Sequence, residues 1–524
     1  MVTGNFQMSL LITLLTVFII ISFVASKLTE SKHDKEKPKT IFCVATGFFG
    51  HLNPVTELCR LLQAAGYNVV FGSHEVYRNK VEGRKTRSFV ESKGLSYIDL
   101  SPAGPWDDSS HHRLDFENSL YEKDAFWSNI QSMRRNIHSH FIPLWAHYYK
   151  NSLEVISQWK PDLMIVEGIA WGGIDAAVKT NTSFITLYTS ALGTMDAILP
   201  MDPISPSMFS SNLPLPLNSS TLTLGMSSML KALYPILFAD IIFSMLWLRY
   251  YEDLTFASFP KEQVLKSREI IVTSSLSLEY PRLTSLPTNI HLVGSGIHYE
   301  SIEFNSKFSN NSKLYSWLNP ESKNTACFQK KLVYIAFGTQ APLRFVAKII
   351  LDGILLSLDI IENICILWSL PEDMMKYVNK DNRTLTSVED GCSSDFQDES
   401  FFYHDRLRIE PWVPQTAVLN LNSTILFVSH CGMNSASESI ALSTPLICLP
   451  FFADQPANAA RLQYFKVAHS VLYHKNLTAN IFANAIVSAC FDDKILNFAK
   501  DVATIVRNDG GLAKAMDVVE RHLR

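Results

Sequence analysis

Near the start of the chain an unbroken apolar run, TIFCVAT, is followed by a glycine-rich turn, GFFGHLNP, by the helical pattern VTELCRLLQAAG and by a second apolar run, YNVVFGS. A strand without polar alternation has to be covered on both faces, and strand, helix and strand in succession read as a βαβ unit. The pattern recurs at DLMIVEG, a glycine-rich helix start and SFITLYT, so the first half is expected to build a parallel sheet with helices on both faces.

At about residue 300 the composition turns polar, YESIEFNSKFSNNSK, which reads as an interdomain linker. Beyond it KLVYIAFGT opens a new strand and turn, VAKIILDGILLSL reads as a helix, and ICILWSL, RLRIEPWV, ILFVSH and PLICLP read as strands of a second α/β domain. A length of 524 residues, 47% of them apolar, is enough for two cores. The acidic, serine-rich stretch SVEDGCSSDFQDES reads as a surface insertion. A net charge of −4 supplies no basic field for nucleic acid. The eight cysteines are scattered with no C-x-x-C pair, which indicates neither a zinc site nor a dense disulfide framework. Several stand in apolar strands, where they are expected as buried thiols, and the redox compartment stays open.

Only 18% of residues are charged, and the mean hydropathy is +0.08, which points to membrane contact. Residues 8 to 26, MSLLITLLTVFIIISFVAS, form an uncharged run close to spanning length. It is expected to direct the chain to the secretory membrane system, as a cleaved signal or as a retained anchor. Lysines 27, 32, 35 and 37 would draw the body toward the cytosol if the segment is kept. Sequons at Asn181, Asn218, Asn310, Asn382, Asn422 and Asn476 are about as many as this composition produces by chance, so orientation stays open. The second apolar stretch, residues 230 to 251, contains Lys231, Pro235 and Asp240 and reads as a buried or interfacial helix.

The chemistry concentrates in WVPQTAVLNLNSTILFVSHCGMNSASESIALSTPLICLPFFADQ, residues 412 to 455. Here ILFVS is a buried strand that passes through His430, Cys431 and Gly432 into a helix starting near Asn434 or Ser435. Such a turn offers unpaired N–H groups and a positive helix end to phosphate, and Gly432 lets the anion come close. The ordered Trp, Pro-Gln, His-Cys-Gly-x-Asn-Ser, Glu, Pro and Asp-Gln resemble the nucleotide-sugar motif of the UDP-glycosyltransferase family. That resemblance implies the GT-B fold, two facing Rossmann-like domains with a cleft between them. It implies an acceptor domain over 38–300, a linker over 301–330, a donor domain over 331–500 and a C-terminal helix, 501–524, packed back on the first domain, with 1–37 as targeting segment and tether. It further implies Trp412 on uracil, Gln415 and Glu438 on the ribose, His430, Asn434 and Ser435 on the diphosphate, and Asp454 and Gln455 on the sugar. The turn Phe337-Gly338-Thr339 resembles the one beside the diphosphate in that family.

In the first domain GFFGHLNP puts His51 on the turn after the first strand, at the sheet edge where doubly wound folds bind ligands. In the family the matching histidine is the general base, oriented by an aspartate after a later strand. Here that position is Glu167, one methylene longer, and Asp175 is a substitute further along the same stretch. The resemblance thus implies inverting transfer of a hexose from a UDP-sugar, UDP-glucose favoured, to a hydroxyl of a small lipophilic acceptor. His51 would take the proton and the donor turn would hold the departing diphosphate, so no metal is required. No D-x-D triplet offers one a site, and Asp107-Asp108 and Asp492-Asp493 read as solvated faces. Residues 190 to 270, rich in aromatics and Met, match little in the family and suit an apolar acceptor pocket. Without an apolar run near its end, the chain is expected to have its membrane handle at the N-terminus. Two other readings stay open: a nucleotide-sugar binder that has lost acceptor chemistry, for which Glu167 is the support, and a glucuronosyl or sterol transferase.

Overall fold

The structure is a computed structural model that describes residues 38–75, 86–101, 142–191, 267–279, 286–299, 312–318, 327–378, 401–452 and 454–524. The N-terminal apolar run, the 230–251 stretch, most of the 190–270 region, the acidic insertion, Asp107-Asp108 and the sequons at Asn218, Asn310 and Asn382 lie outside them. Among the described residues no helix is long and apolar enough to cross a membrane.

The chain forms two seven-stranded sheets. The first consists of β1 (Thr40–Val44), β2 (Asn68–Ser73), β3 (Ser96–Asp99), β4 (Leu163–Glu167), β5 (Phe184–Tyr188), β6 (Ile270–Val272) and β7 (Ile290–Leu292). Their order is β3-β2-β1-β4-β5-β6-β7, and every pairing is parallel. The apolar run of β1 divides by alternation, as a doubly covered strand must. Ile41 and Cys43 pack with Val55, Leu58 and Leu62 of α1 (Phe49–Ala64). Phe42 and Val44 face the other layer, Tyr148 of α2 (Ile142–Trp159) and Ile174 of α3 (Trp171–Lys179).

The second sheet consists of β8 (Lys331–Ala336), β9 (Ile364–Ser369), β10 (Phe401–His404), β11 (Leu407–Glu410), β12 (Thr424–Ser429), β13 (Leu446–Cys448) and β14 (Ala468–Val471). It runs β10-β11-β9-β8-β12-β13-β14, parallel except for the β10–β11 pair. Val333 and Ile335 pack under α4 (Ala347–Ile360) and α7 (Ala479–Cys490), which carry Ile350 and Phe482. Tyr334 and Ala336 share the opposite layer with Ile440 of α5 (Met433–Ala441) and Leu462 of α6 (Gln455–Tyr464). Chain order reverses between β8 and β12, so their carboxyl ends, paired at Ala336 and Ser429, open the crevice in which such sheets bind ligands.

Three expectations change. The cysteines are not all thiols: Cys43–Cys59, Cys327–Cys365 and Cys431–Cys448 are disulfides, and Cys490 is free and buried. The linker expected over 301–330 is partly taken up by the second domain, because a helix at Ser312–Leu318 sends Leu314, Trp317 and Leu318 into that domain's core. The return to the first domain starts later than residue 501. Helix α8 (Asp493–Asn508) stays on the second domain through Val502 and Val506, and Gly510 and Gly511, at φ +96° and +59°, break the chain into α9 (Gly511–Leu523). Leu512, Ala515, Val518 and Val519 of α9 then complete the core beside α1.

Candidate active site

His51 lies in the first turn of α1, not in the loop before it. The helix begins at Phe49 and accepts Pro54 inside, where the missing N–H is lost close to the end and the ring's fixed φ suits a helix. His51 Nδ1–H donates to Glu167 Oε1 at 2.9 Å, with Thr189 Oγ1 also 3.0 Å from the same nitrogen. Thr46 Oγ1 donates to the other Glu167 oxygen at 3.4 Å. Glu167 is 1% exposed and the His51 side chain 31%, so the partner is buried while the ring reaches the cleft. These partners fix the proton on Nδ1 and leave the Nε2 lone pair available. Burial pulls the imidazole pKa down, but the charge and hydrogen bond of Glu167, with the charge of Asp454, outweigh it, and the pKa lies above 6.5.

The turn before His51 is held from beneath. Gly47 N–H donates to His74 Nδ1 at 3.2 Å, and Tyr148 Oη donates to the Ala45 carbonyl at 2.8 Å. Burial pushes the His74 pKa down to about 3, so its ring is a neutral acceptor at any working pH. Asp175 takes the Trp145 indole N–H at 2.8 Å and is 1% exposed.

On the facing domain β12 ends at Ser429 and the chain turns through His430 and Cys431, at φ +59°, into α5. Gly432 is the helix N-cap and provides no side-chain oxygen, which leaves the first-turn N–H groups to solvent or a ligand. His430 packs between two glycines: a Cβ on Gly432 would stand 2.6 Å from its Nε2, and one on Gly338, at φ +70°, 2.9 Å from its Cε1. Burial lowers the His430 pKa to about 4, so the ring offers an N–H without a charge. Gln415 Nε2 donates to Glu438 Oε2 at 2.7 Å and to Ser435 Oγ at 3.1 Å, and Asn434 Nδ2 donates to Glu438 Oε1 at 2.9 Å. Gln455 Oε1 accepts the Phe451 and Phe452 N–H groups.

The two walls meet. Phe49 of α1 and Trp412, 43% exposed, make an edge contact with centroids 4.9 Å apart. A Cβ on Gly296 would lie 3.1 Å from Pro54 and 3.3 Å from Asn434 Oδ1, so α1 and α5 approach across that glycine.

Known proteins resemble this chain in part of its sequence and in its fold. The family model described as UDP-glucoronosyl and UDP-glucosyl transferase matches residues 397–504. A UDP-glycosyltransferase of Talaromyces amestolkiae is 28% identical over 193 residues, 36% of this chain and 35% of that protein. The chain therefore spans about a third of that relative's length. UDP-glycosyltransferase 76H1 of Stevia rebaudiana is 26% identical over 50% of this chain and 61% of its own. Over residues 397–504 the chain matches the UDP-glycosyltransferase family model, and these relatives are UDP-glycosyltransferases. Among solved structures the glycotransferase of kitacinnamycin superposes with a TM-score of 0.58 at 15% identity, covering 93% of this chain and 100% of that one. The fold is GT-B.

The family motif residues Trp412, Gln415, His430, Asn434, Ser435, Glu438, Asp454 and Gln455 stand on the second domain's wall, with Thr339 on the turn next to His430. His51 and Glu167 face them. Thr46, Thr189, His74 and Tyr148 were not singled out from the sequence. Thr46 and Thr189 left a signal there, as the polar residues closing the apolar runs TIFCVAT and SFITLYT. Among the described residues no three His, Cys, Asp or Glu side chains form a group that could hold a metal.

Proposed function

We propose that this chain transfers a hexose from a UDP-sugar to a hydroxyl of a small lipophilic acceptor, without a metal and with inversion at the anomeric carbon. The carrying observation is the pair His51 and Glu167 at 2.9 Å on one wall, with the His430 turn and Asp454 on the other. The acceptor hydroxyl gives its proton to His51 Nε2 as its oxygen bonds to the anomeric carbon, and the bond from that carbon to the diphosphate oxygen breaks. Glu167 balances the imidazolium that forms. The departing diphosphate gains charge beside the uncapped N–H groups of α5, the His430 N–H and the Thr339 turn. Trp412 stacks on the uracil, Gln415 and Glu438 hold the ribose, Asn434 and Ser435 help hold the diphosphate, and Asp454 and Gln455 hold the sugar. UDP-glucose is the favoured donor.

UDP release from UDP-glucose, UDP-glucuronate, UDP-galactose and UDP-N-acetylglucosamine, measured against phenol, flavonoid, sterol and fatty-alcohol acceptors, tests this reading. Release that requires an acceptor, disappears in His51→Ala and yields a β-linked product from an α-linked donor is expected. Bound UDP with no turnover for any pair would instead favour the nucleotide-sugar binder. The extra methylene of Glu167 no longer supports that binder, since the carboxylate reaches His51 at 2.9 Å.

The proposal includes a place in the secretory membrane system, with the N-terminal apolar run as membrane handle and the body on the lumenal side. Three disulfides support an oxidising compartment. The sequon residues Asn181, Asn422 and Asn476 are exposed. A mobility shift of the membrane-associated chain on endoglycosidase treatment is expected, and an unshifted chain with all cysteines alkylatable would place the body in the cytosol.

A further inference from the structure

A buried polar chain runs from the first domain to the sugar end of the cleft, and the proposed reaction does not use it. It begins at Glu279, which follows β6 on the first domain and takes the Ser274 hydroxyl on one oxygen. Its other oxygen accepts Arg461 from α6 at 3.1 Å. The second terminal nitrogen of Arg461 donates to Asn458 Oδ1 at 3.2 Å and lies 2.9 Å from Met433 Sδ, the first residue of α5. Asn458 Nδ2 in turn donates to Asp454 Oδ2 at 2.8 Å. The Arg461 and Glu279 side chains are 4% and 3% exposed, and Asn458 is 1% exposed.

A buried ion pair is weak support for stability, because apolar residues of the same volume generally do as well, but it fixes geometry firmly. Arg461 Nε is moreover buried without a partner, a cost that a pair selected for stability alone would avoid. The Asn458 amide is polarised at both ends, so its orientation, and with it the position of the Asp454 carboxylate, follows from the guanidinium. The guanidinium is anchored in the other domain. We propose that Arg461 and Asn458 are positioning residues that set Asp454 for the donor sugar, and that they do so only while Glu279 docks the first domain against the second. Sugar recognition then depends on this particular docking contact, which reaches the second domain's wall at Asp454. This rests on the reading of Asp454 as a sugar ligand.

The test measures KM for UDP-glucose and UDP-galactose, inhibition by UDP and thermal stability in Asp454→Ala, Asn458→Ala, Arg461→Met, Glu279→Leu and Glu279→Gln. Arg461→Met and Asn458→Ala are expected to raise KM for the preferred sugar nucleotide roughly 10-fold or more and to narrow the preference between the two sugars. UDP inhibition should stay within about 3-fold. Glu279→Leu should reproduce the effect from the other domain, and Glu279→Gln, which keeps the acceptor, should restore most of it. Asn458→Ala removes only the last link, so it remains informative if Arg461→Met does not fold. Unchanged sugar preference in all three truncating variants, with only a lower Tm, would overturn the proposal. Equal loss of UDP and UDP-sugar affinity would overturn it too. If Asp454→Ala itself leaves the preference intact, the reading of Asp454 fails first, and the two failures are thereby separated.

Discussion

The imidazole of His51 is pulled in two directions. Burial favours its neutral form, while Glu167 at 2.9 Å and the charge of Asp454 favour the cation, and the cation gains more. The proposed base must be neutral to act, so activity is expected to rise with pH through an acidic limb above 6.5. Glu167→Gln removes the charge and keeps the shape. It should move that limb to lower pH and lower kcat about 10- to 100-fold. A limb that stays in place in the pH profile of kcat/KM would show that Glu167 does not set the His51 charge. Folding stability carries the same sign. A histidine whose folded pKa is raised stabilises fully below its unfolded pKa and loses that contribution as pH rises through the folded value. The stability deficit of Glu167→Gln in urea should therefore be larger near about pH 5.5 than near about pH 8.5. At this scale His51 was marked in the sequence by its turn after the first strand, and the family resemblance picked it out together with Glu167. His74 follows the end of β2, which only the folded sheet brings to the turn after β1.

Among the elements, the strand–turn–helix of residues 424–441 carries most of the donor wall, and its geometry depends on how closely backbone approaches His430. An added methyl at Gly432 would stand 2.6 Å from the ring and one at Gly338 2.9 Å, the latter also at φ +70°. Gly432→Ala and Gly338→Ala are expected to displace His430 and weaken UDP binding by roughly 10-fold, with a strain cost of about 1–3 kcal/mol at Gly338. Gly50 in the first turn of α1 is the contrast: nothing lies within 4 Å of its Cβ position, and alanine there should stabilise the helix by about 0.5–1 kcal/mol. Calorimetric UDP titration and thermal melts check all three, and unaltered UDP affinity in Gly432→Ala would mean that His430 lies off the diphosphate. The turn and helix could be read from ILFVSHCGMNS because strand, glycine and helix signals are local. The Cys431–Cys448 bond that closes the turn onto β13 could not, since pairing among scattered cysteines is decided by which strands become neighbours. The early start of α1 escaped for a related reason. Pro54 looks like a helix boundary until the fold supplies Leu52 and Val55 with a buried face.

For the whole molecule, the alternation of apolar runs and helices was enough to expect two parallel-sheet domains, because a doubly covered sheet leaves its mark on every strand. The way the chain closes on itself left a weaker mark. Both last helices are amphipathic, and only the positive-φ break at Gly510 and Gly511 assigns α8 to one domain and α9 to the other. Three bonds secure the crossing: Gly511 N–H to the Val293 carbonyl at 2.7 Å, Leu512 N–H to the Ile297 carbonyl at 3.1 Å, and the Lys514 ammonium to the Leu292 carbonyl at 2.8 Å. Leu512 is fully buried in the first-domain core, although it follows the whole second domain in sequence. Leu512→Ala should therefore cost about 2–5 kcal/mol in the first domain. UDP bound to the second domain stabilises only the unit it occupies, by mass action. Scanning calorimetry with and without UDP then distinguishes the two units, and the transition that responds less to UDP is the one expected to fall in Leu512→Ala. If the UDP-responsive transition falls alone, α9 belongs energetically to the donor domain. If both fall together, the crossing helix makes the two domains unfold as one unit, and the Glu279–Arg461 link becomes a further contact holding them together.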